Sequence, residues 1–326
     1  MKKAVALLAL LFLGTWVVTT LDSEWDTVKK EMDSFMEKFE NWESGQVIDS
    51  APVSLGEEEE KVTSGKESSA TAGEQTVQSI YGTPWMLKGT TSGNFSFANK
   101  DSTGRYLGKE GESYDGITIG EESSTAEKAW GEPADAVRRG MTSVRSPAEN
   151  YDVYERNNKE VTVFYDRHEG DVIKSIYIVP KTVTTNMNSY YANEQDWVGK
   201  DQAEVMFGLI NRDRTARGLE PLSWREELVP VAEAHSTDMT ERDYFSHTNP
   251  GGQGPADRAR EAEVSFRIIG ENLAYGQSNA VYAHEGLMDS KGHRDNILNP
   301  AYEEVGIGVA VDDKGAPYFT VLFYKG

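Results

Sequence analysis

The sequence predicts an α/β chain of the α+β kind, built in two folded parts, and three observations carry that expectation. Runs of β-branched and aromatic residues separated by turn residues gather between Tyr151 and Val179. Helical stripes of apolar residues dominate from Asp201 to Met288, and a strand pair closes the chain between Val305 and Tyr324. A chain of 326 residues with composition that shifts along its length is also more than one ordinary core.

The first element is an export signal. Lys2-Lys3 precede an apolar run from Ala4 to Val18, and Asp22, Glu24 and Asp26 follow it, which places the N-terminus inside and the remainder outside. Residues 1–21 are thus read as a signal peptide or a signal anchor. No Ala-x-Ala triplet follows the run, and its length falls short of the roughly twenty residues of a full span, so removal and retention both stay open. In 22–43, Trp25, Val28, Met32, Phe35, Met36, Phe39 and Trp42 recur at three- and four-residue steps. They form an amphipathic helix whose stripe packs on the protein, on a second copy, or on the outer membrane surface.

Residues 44–76 are rich in Ser, Gly, Glu and Thr and include Glu57 to Glu60, so they are read as an acidic flexible linker. Residues 77–183 form a mixed α/β part. Glu160 to Tyr165 and Ile173 to Val179 read as a hairpin across Arg167 to Asp171, and Tyr151 to Tyr154 with Asn157-Asn158 supplies another strand and turn. His168 falls in a turn and is expected to be solvated. A polar stretch, 184–199, links this part to the next.

In 200–326 the periodicities sharpen. Asp201 with Glu204 marks a helix start and Gly218 its end; Ser223 with Glu226 marks a second start. Leu228, Val231, Ala232, His235 and Met239 then share one stripe, which turns His235 inward. A third helix begins after Ser278, with Val281, His284, Leu287 and Met288 inward and Gly292 near its end. Val305 to Val311 and Tyr318 to Tyr324 pair across Asp312 to Gly315.

Composition excludes several functions. The chain has no cysteine, which rules out disulfides, thiolate metal sites and cysteine nucleophiles. Its formal net charge of −21 argues against nucleic-acid phosphates and anionic headgroups as partners. Four of the five histidines lie between His235 and His293, beside Glu271, and imidazoles gathered next to a carboxylate are suited to ligation and to acid–base work.

The ordered motifs Asn211-Arg-x-Arg, Gly218-Leu-x-Pro-Leu-x-Trp224, Ala232-x-x-His-Ser-x-Asp-Met239, Tyr244-Phe-Ser-His-Thr-Asn-Pro250, Gly270-Glu-Asn-Leu-Ala274, Met288-Asp-Ser-x-Gly-His-Arg-x-Asn-Ile-Leu298 and Val305-Gly-Ile-Gly308 resemble the bacterial branch of the CAP superfamily of SCP-like proteins. That superfamily takes its name from cysteine-rich secretory proteins, antigen 5 and pathogenesis-related 1 proteins. Residues 77–183, with Gly104-Arg-x-Leu-Gly108 and Tyr114-Asp-Gly-Ile-Thr-Ile-Gly120, are similar to the domain that precedes a CAP domain in exported Bacillus-type proteins.

The resemblance implies an α-β-α sandwich for 200–326 and a cleft of two histidines and two acids that holds divalent metal in some relatives. His247, Glu271 and His293 match three of those positions. Ser290 stands where many relatives carry the second glutamate, and Leu287 where a tryptophan is frequent. The expected cleft therefore comprises His247, Glu271, Ser290, His293 and, at its back, His235 with Asp238. His247 and His293 are the candidate ligands for zinc or another divalent cation. Glu271 is the candidate catalytic group, either as a third ligand or as a base on bound water but not both. Asp289 and Glu285 are the carboxylates available to replace the missing one. A nucleophile reading would pair Ser246 or Ser290 with His247 or His293, and adjacency in sequence does not provide its geometry. His247, Glu271 and His293 can equally form a network that only fixes loops to the core.

The expected protein is exported and cell-envelope-associated, extracellular or on the outer face of the cytoplasmic membrane of a Gram-positive, spore-forming bacterium. Its cleft binds an extracellular protein, peptide, lipid or cell-wall ligand. The alternatives are a metal-dependent hydrolase of peptide or cell-wall material, or a scaffold whose contacts are made by the N-terminal part. Whether it is an enzyme stays open, because the fold supports several unrelated activities.

Overall fold

The chain is described by a computed structural model at residues 74–91, 94–139, 142–145, 149–187, 189–192 and 197–326. The expected export signal, the amphipathic helix of 22–43 and nearly all of the acidic linker lie outside the described residues. That linker ends earlier than expected, because β1 already begins within it at Gln75–Gln78.

Four short strands open the N-terminal part: β1, β2 (Pro84–Lys88), β3 (Ser96–Asn99) and β4 (Arg105–Leu107). Two small hairpins follow, β5 (Ser113–Tyr114) with β6 (Ile117–Thr118) and, beyond helix α1 (Ser124–Trp130), β7 (Ala136–Arg139) with β8 (Thr142–Arg145). The expected strands are β9 (Tyr151–Arg156), β10 (Lys159–Asp166) and β11 (Val172–Pro180). Asn157 and Asn158 both have positive φ, 49° and 58°, the conformation that a tight two-residue hairpin turn requires. One antiparallel sheet results, in the order β1-β2-β3-β4-β11-β10-β9. The long strands β10 and β11 sit inside it and are buried on both faces, which explains why they read as continuous apolar runs. Strands β1 to β4 are short and flanked by polar turns, and the sequence signalled none of them.

After the single turn α2 (Lys181–Thr184), the C-terminal part begins with α3 (Gly199–Ala216), β12 (Ser223–Trp224), a 3-10 turn at Glu226–Leu228 and α4 (Val229–Glu241). Then come α5 (Pro255–Glu261), β13 (Ile268–Tyr275), α6 (Ala280–Asp289), α7 (Lys291–Ile297), β14 (Glu304–Val311) and β15 (Pro317–Lys325). Its sheet has the order β12-β14-β15-β13, antiparallel except for β12 beside β14. Ile307, Val321 and Phe323 pack towards α3 and α6, while Ile269, Leu322 and Tyr324 join Leu228, Val231 and Ala232 of the α4 side. This is the α-β-α sandwich the resemblance implied.

Three local expectations are corrected. Asp201 does not cap α3; its Oδ2 accepts the backbone N–H of Gln78 at 2.6 Å, a long-range contact invisible to local pattern. Ser223 lies in β12 and caps nothing, since the 3-10 turn intervenes before α4. The third helix stops at Ser290, and Gly292 belongs to the separate α7.

Several motif residues turn out to be structural. Asn211 accepts the N–H of Leu222 at 2.7 Å and donates to Leu222 O and Thr90 O, so one amide clamps the chain after α3 and a loop of the N-terminal part. Arg214 donates to the carbonyls of Glu220, Ile297, Asn299 and Tyr302. Gly308 lets α4 lie directly on β14: a Cβ there would sit 2.1 Å from Glu233 N and 2.3 Å from Ala232 C. Those are helix backbone atoms and cannot swing aside. Gly308→Ala is expected to cost about 1–3 kcal/mol or more by overpacking, measured by urea unfolding; a loss under a few tenths would show that α4 can shift freely.

The two parts share one core. Trp85, Phe97, Tyr106 and Tyr177 of the N-terminal sheet belong to the same buried cluster as Phe207 of α3 and Tyr282 of α6. Beside it lies a buried polar network. Glu285 accepts from Tyr106 Oη (2.9 Å), Ser175 Oγ (2.7 Å) and Lys174 Nζ (2.7 Å). Lys174 also meets Asp213, which in turn pairs with Arg212 at 2.7 Å and with His284 Nε2 at 2.6 Å. Both Glu285 and Asp213 have their pKa lowered: burial alone would raise them, but the neighbouring Lys174 and Arg212 charges prevail. His284 is a buried core residue, as its apolar stripe implied.

Candidate functional site

The site forms at one edge of the C-terminal sheet, because β13 is the last strand in the order and carries Glu271 there. Glu271 is 1% exposed, and both carboxylate oxygens are engaged. Oε1 lies 2.8 Å from His247 Nδ1, and Oε2 accepts Nη2 of Arg258 at 2.5 Å. The same guanidinium donates from Nη1 to the carbonyls of His247 and Gln253, at 2.8 and 3.0 Å, so one buried arginine holds both the acid and the loop that delivers the histidine. Burial alone would raise the Glu271 pKa, but the His247 hydrogen bond and the Arg258 charge overcome it and lower the value below the usual carboxyl range. Glu271 is therefore a carboxylate at neutral pH.

Glu271 fixes the His247 ring, whose side chain keeps 17% of its surface exposed. His293, on α7, is half-buried and has Nδ1 2.8 Å from Ser290 Oγ. Burial and the charge of His247 push the His293 pKa down to about 4, so this ring is neutral at physiological pH. The two histidine-bearing segments are joined through two asparagines. Asn272 donates to His293 O at 2.9 Å, and Asn296 donates to Asn272 Oδ1 at 2.9 Å and to Glu271 O at 3.3 Å. Among the described residues, no hydrogen-bond partner reaches Nε2 of either His247 or His293.

His235 lies behind this pair, buried, with Nε2 3.0 Å from Ser246 O. Burial lowers its pKa too. Its neighbour Asp238 accepts the hydroxyl of Tyr244, so these residues anchor the segment that carries His247. Asp289 and Glu285 do not replace the missing carboxylate of the cleft: Asp289 pairs with Arg167 and Glu285 with Lys174. The geometry expected to be missing for a serine beside a histidine is met by Ser290 and His293, three residues apart at a helix start. Among the described residues no carboxylate orients His293 in turn, so they do not assemble a catalytic triad.

A divalent cation fits these residues poorly. Neither oxygen of Glu271 is free, and the adjacent guanidinium already neutralises its charge. The remaining donors are two imidazole nitrogens, short of the three protein ligands of a catalytic zinc site, and among the described residues no three His, Asp or Glu side chains converge as a metal-holding group. Arg258 is the residue that sequence reasoning missed. It lies on a seven-residue helix between the buried Ala256 and Ala259, and no spacing signal distinguishes it from exposed Arg260. Asn272 and Asn296 were inside recognised motifs, but without the fold they had no partner to suggest a role.

Comparison with known proteins agrees with this architecture. Residues 207–324 match the CAP model, described as the cysteine-rich secretory protein family. Uncharacterized protein YkwD of Bacillus subtilis is 39% identical over 100 residues, covering 31% of this chain and 39% of that protein. Uncharacterized membrane protein YlbC of the same organism is 40% identical over 160 residues, covering 48% and 41%. The chain thus spans about two fifths of the length of these curated relatives. An extracellular protein containing an SCP domain from Bacillus anthracis superposes with a TM-score of 0.65 at 20% identity, covering 83% of this chain and 100% of that one. A cysteine-rich secretory protein from Staphylococcus aureus gives 0.56 at 15% identity, covering 78% and 83%. The chain carries a CAP domain at its C-terminus, and the solved structures show the fold.

Proposed function

We propose that this CAP-domain chain is an exported protein of the bacterial envelope whose cleft binds an extracellular ligand through the Nε2 faces of His247 and His293, without a resident divalent metal. The observation that carries the reading is the division of labour in the cleft. Glu271 is wholly committed to His247 and Arg258, while the outer nitrogens of both rings are uncommitted among the described residues. A ring whose Nδ1 is held by a carboxylate presents Nε2 in a defined direction, which favours recognition of a ligand's polar group. The location rests on the apolar N-terminal run, the absence of cysteine, the extracellular SCP neighbour and the membrane protein among the relatives. Metal-dependent hydrolysis has less support, because each Glu271 oxygen already holds a partner and the Arg258 guanidinium offsets the charge that would attract a cation.

The test is a binding screen of the full chain against peptides, peptidoglycan fragments, glycans and lipid vesicles, repeated with His247→Ala and His293→Ala. A ligand whose affinity falls at least about tenfold in both variants, equal to about 1.4 kcal/mol, supports the cleft. Affinity indifferent to both substitutions would remove it from the function. Calorimetric titration with zinc is expected to show no stoichiometric binding; one zinc per chain, lost in both variants, would overturn the metal-free part of the reading.

A further inference from the structure

The N-terminal part also comes up to the cleft. The turn between β10 and β11 cups the junction of α6 and α7, where Asp289 immediately precedes Ser290 and Arg294 immediately follows His293. Arg167 grips Asp289 with both arms, Nε to Oδ1 at 3.0 Å and Nη2 to Oδ2 at 2.6 Å. His168 is exposed, as expected, and also places Nε2 2.6 Å from Asp289 O. Asp166 Oδ2 accepts Nη2 of Arg294 at 2.9 Å, and this pair is buried, with side chains 4% and 7% exposed. Arg294 Nη1 donates in turn to Met288 O, which ties α7 back onto the end of α6.

We infer that the β10–β11 turn is part of the cleft's machinery, with Arg167 and Asp166 acting as positioning residues that set Ser290 and His293 through Asp289 and Arg294. Three considerations favour this over simple adhesion between two domains. The turn also pairs with Arg217 of α3 through Asp166 and Glu169, but on α6 and α7 its ion pairs fall on Asp289 and Arg294, the residues that flank Ser290 and His293. Bidentate arginine–carboxylate pairing fixes orientation as well as distance, which a diffuse apolar contact does not. The helix break at Ser290, where ψ turns extended at 118°, gives the junction no continuous helical hydrogen-bonding of its own to hold α7 at a set angle. The turn adds a constraint at the junction, beside the Asn272 and Asn296 hydrogen bonds that tie α7 to β13. The inference deepens the reading of the cleft as a binding site, and it gives the N-terminal part a role in it: a partner seated on the β10–β11 turn would alter the ligand affinity of a histidine it never touches.

The test needs no ligand. In the full chain labelled at histidine and asparagine, the His293 ring resonances and the Asn272 side-chain amide, which donates to His293 O, report the position of α7. Arg167→Asp faces Asp289 with a like charge. It is expected to move both signals while leaving His235, held by Ser246 on the other side of the sheet, in place. Arg167→Asp combined with Asp289→Arg restores the pair in reverse and is expected to return them towards their original positions. Arg167 keeps 39% of its side chain exposed, so Arg167→Asp buries no new charge; Asp289 keeps 18%, and the reversed pair neutralises the cation placed there. Signals of His293 and Asn272 that stay unchanged in Arg167→Asp would overturn the inference, and so would a shift that the reversed pair fails to rescue. Either result would leave ligand binding by His247 to be judged separately by the screen.

Discussion

Glu285→Ala is expected to destabilise the protein by about 3–5 kcal/mol, the range for breaking a buried ion pair by removing one partner. The carboxylate is 2% exposed and is the common acceptor of Lys174, Ser175 and Tyr106, three residues of the N-terminal sheet. Its loss leaves the Lys174 ammonium with Asp213 alone and removes the acceptor of two buried hydroxyls, of which Tyr106 keeps the bond from Arg212. Because Glu285 is on α6 and its partners are on β4 and β11, the loss falls on the contact between the two parts. Denaturant unfolding of the variant should show a lower midpoint. A change below about 1 kcal/mol, the level of an exposed pair, would mean that water already reaches the network. The shared core also predicts that 200–326 without 77–183 is less stable than the full chain, since Phe207 and Tyr282 would lose the aromatic residues they pack with.

Glu271→Ala should have an effect of similar size and a different character. It leaves the Arg258 guanidinium buried without its carboxylate and releases the His247 ring, so about 3–5 kcal/mol of stability and ligand binding at the cleft should be lost together. Arg258→Ala separates the two consequences poorly, because it also frees the His247 carbonyl. Glu271→Gln is the sharper variant: it keeps the shape, removes the charge, and is expected to lower ligand affinity more than it lowers stability. Equal affinity in Glu271→Gln and the parent would show that orientation of His247 by a carboxylate is immaterial.

The pH dependence follows from the same groups. Folded His293 has a pKa of about 4 against an ordinary 6.5, so the fold prefers its neutral form. Its contribution is complete above 6.5 and is lost as the pH falls from there towards 4. His235 and His284, both lowered by burial, act in the same direction. The folded pKa of Glu271 lies below its unfolded value, so its contribution is complete above the ordinary carboxyl range and is lost as the pH drops through the folded value. Stability should therefore decline once the pH falls below 6.5, and His293→Gln should flatten the first part of that decline. A stability profile level down to pH 4 would contradict the burial of these rings.

What the sequence determined by itself was what local periodicity and turn chemistry can carry. The stripe through Val231, His235 and Met239 states which helix face is buried, because side chains recur every 3.6 residues in a helix, and the β-branched and aromatic runs of β10, β11, β14 and β15 state where strands form. The inward turn of His235 and His284 was legible for that reason. The nearness of His247, Glu271 and His293 was legible only through the order of motifs.

The tertiary structure decided the rest, because it concerns pairs far apart in the chain. Arg258 reaches Glu271 across 13 residues, Lys174 reaches Glu285 across 111 and Arg167 reaches Asp289 across 122. A charged residue on a helix reads as solvated until another element is packed over it. Glu285, Arg294 and Asp213 are each buried because the N-terminal sheet covers them and supplies the opposite charge. His168 stays exposed, as its turn position implied, and the tertiary structure adds its contact with the helix junction beside the cleft. Burial is a property of the whole fold, and for these side chains it selects ion pairing where the local sequence indicated hydration.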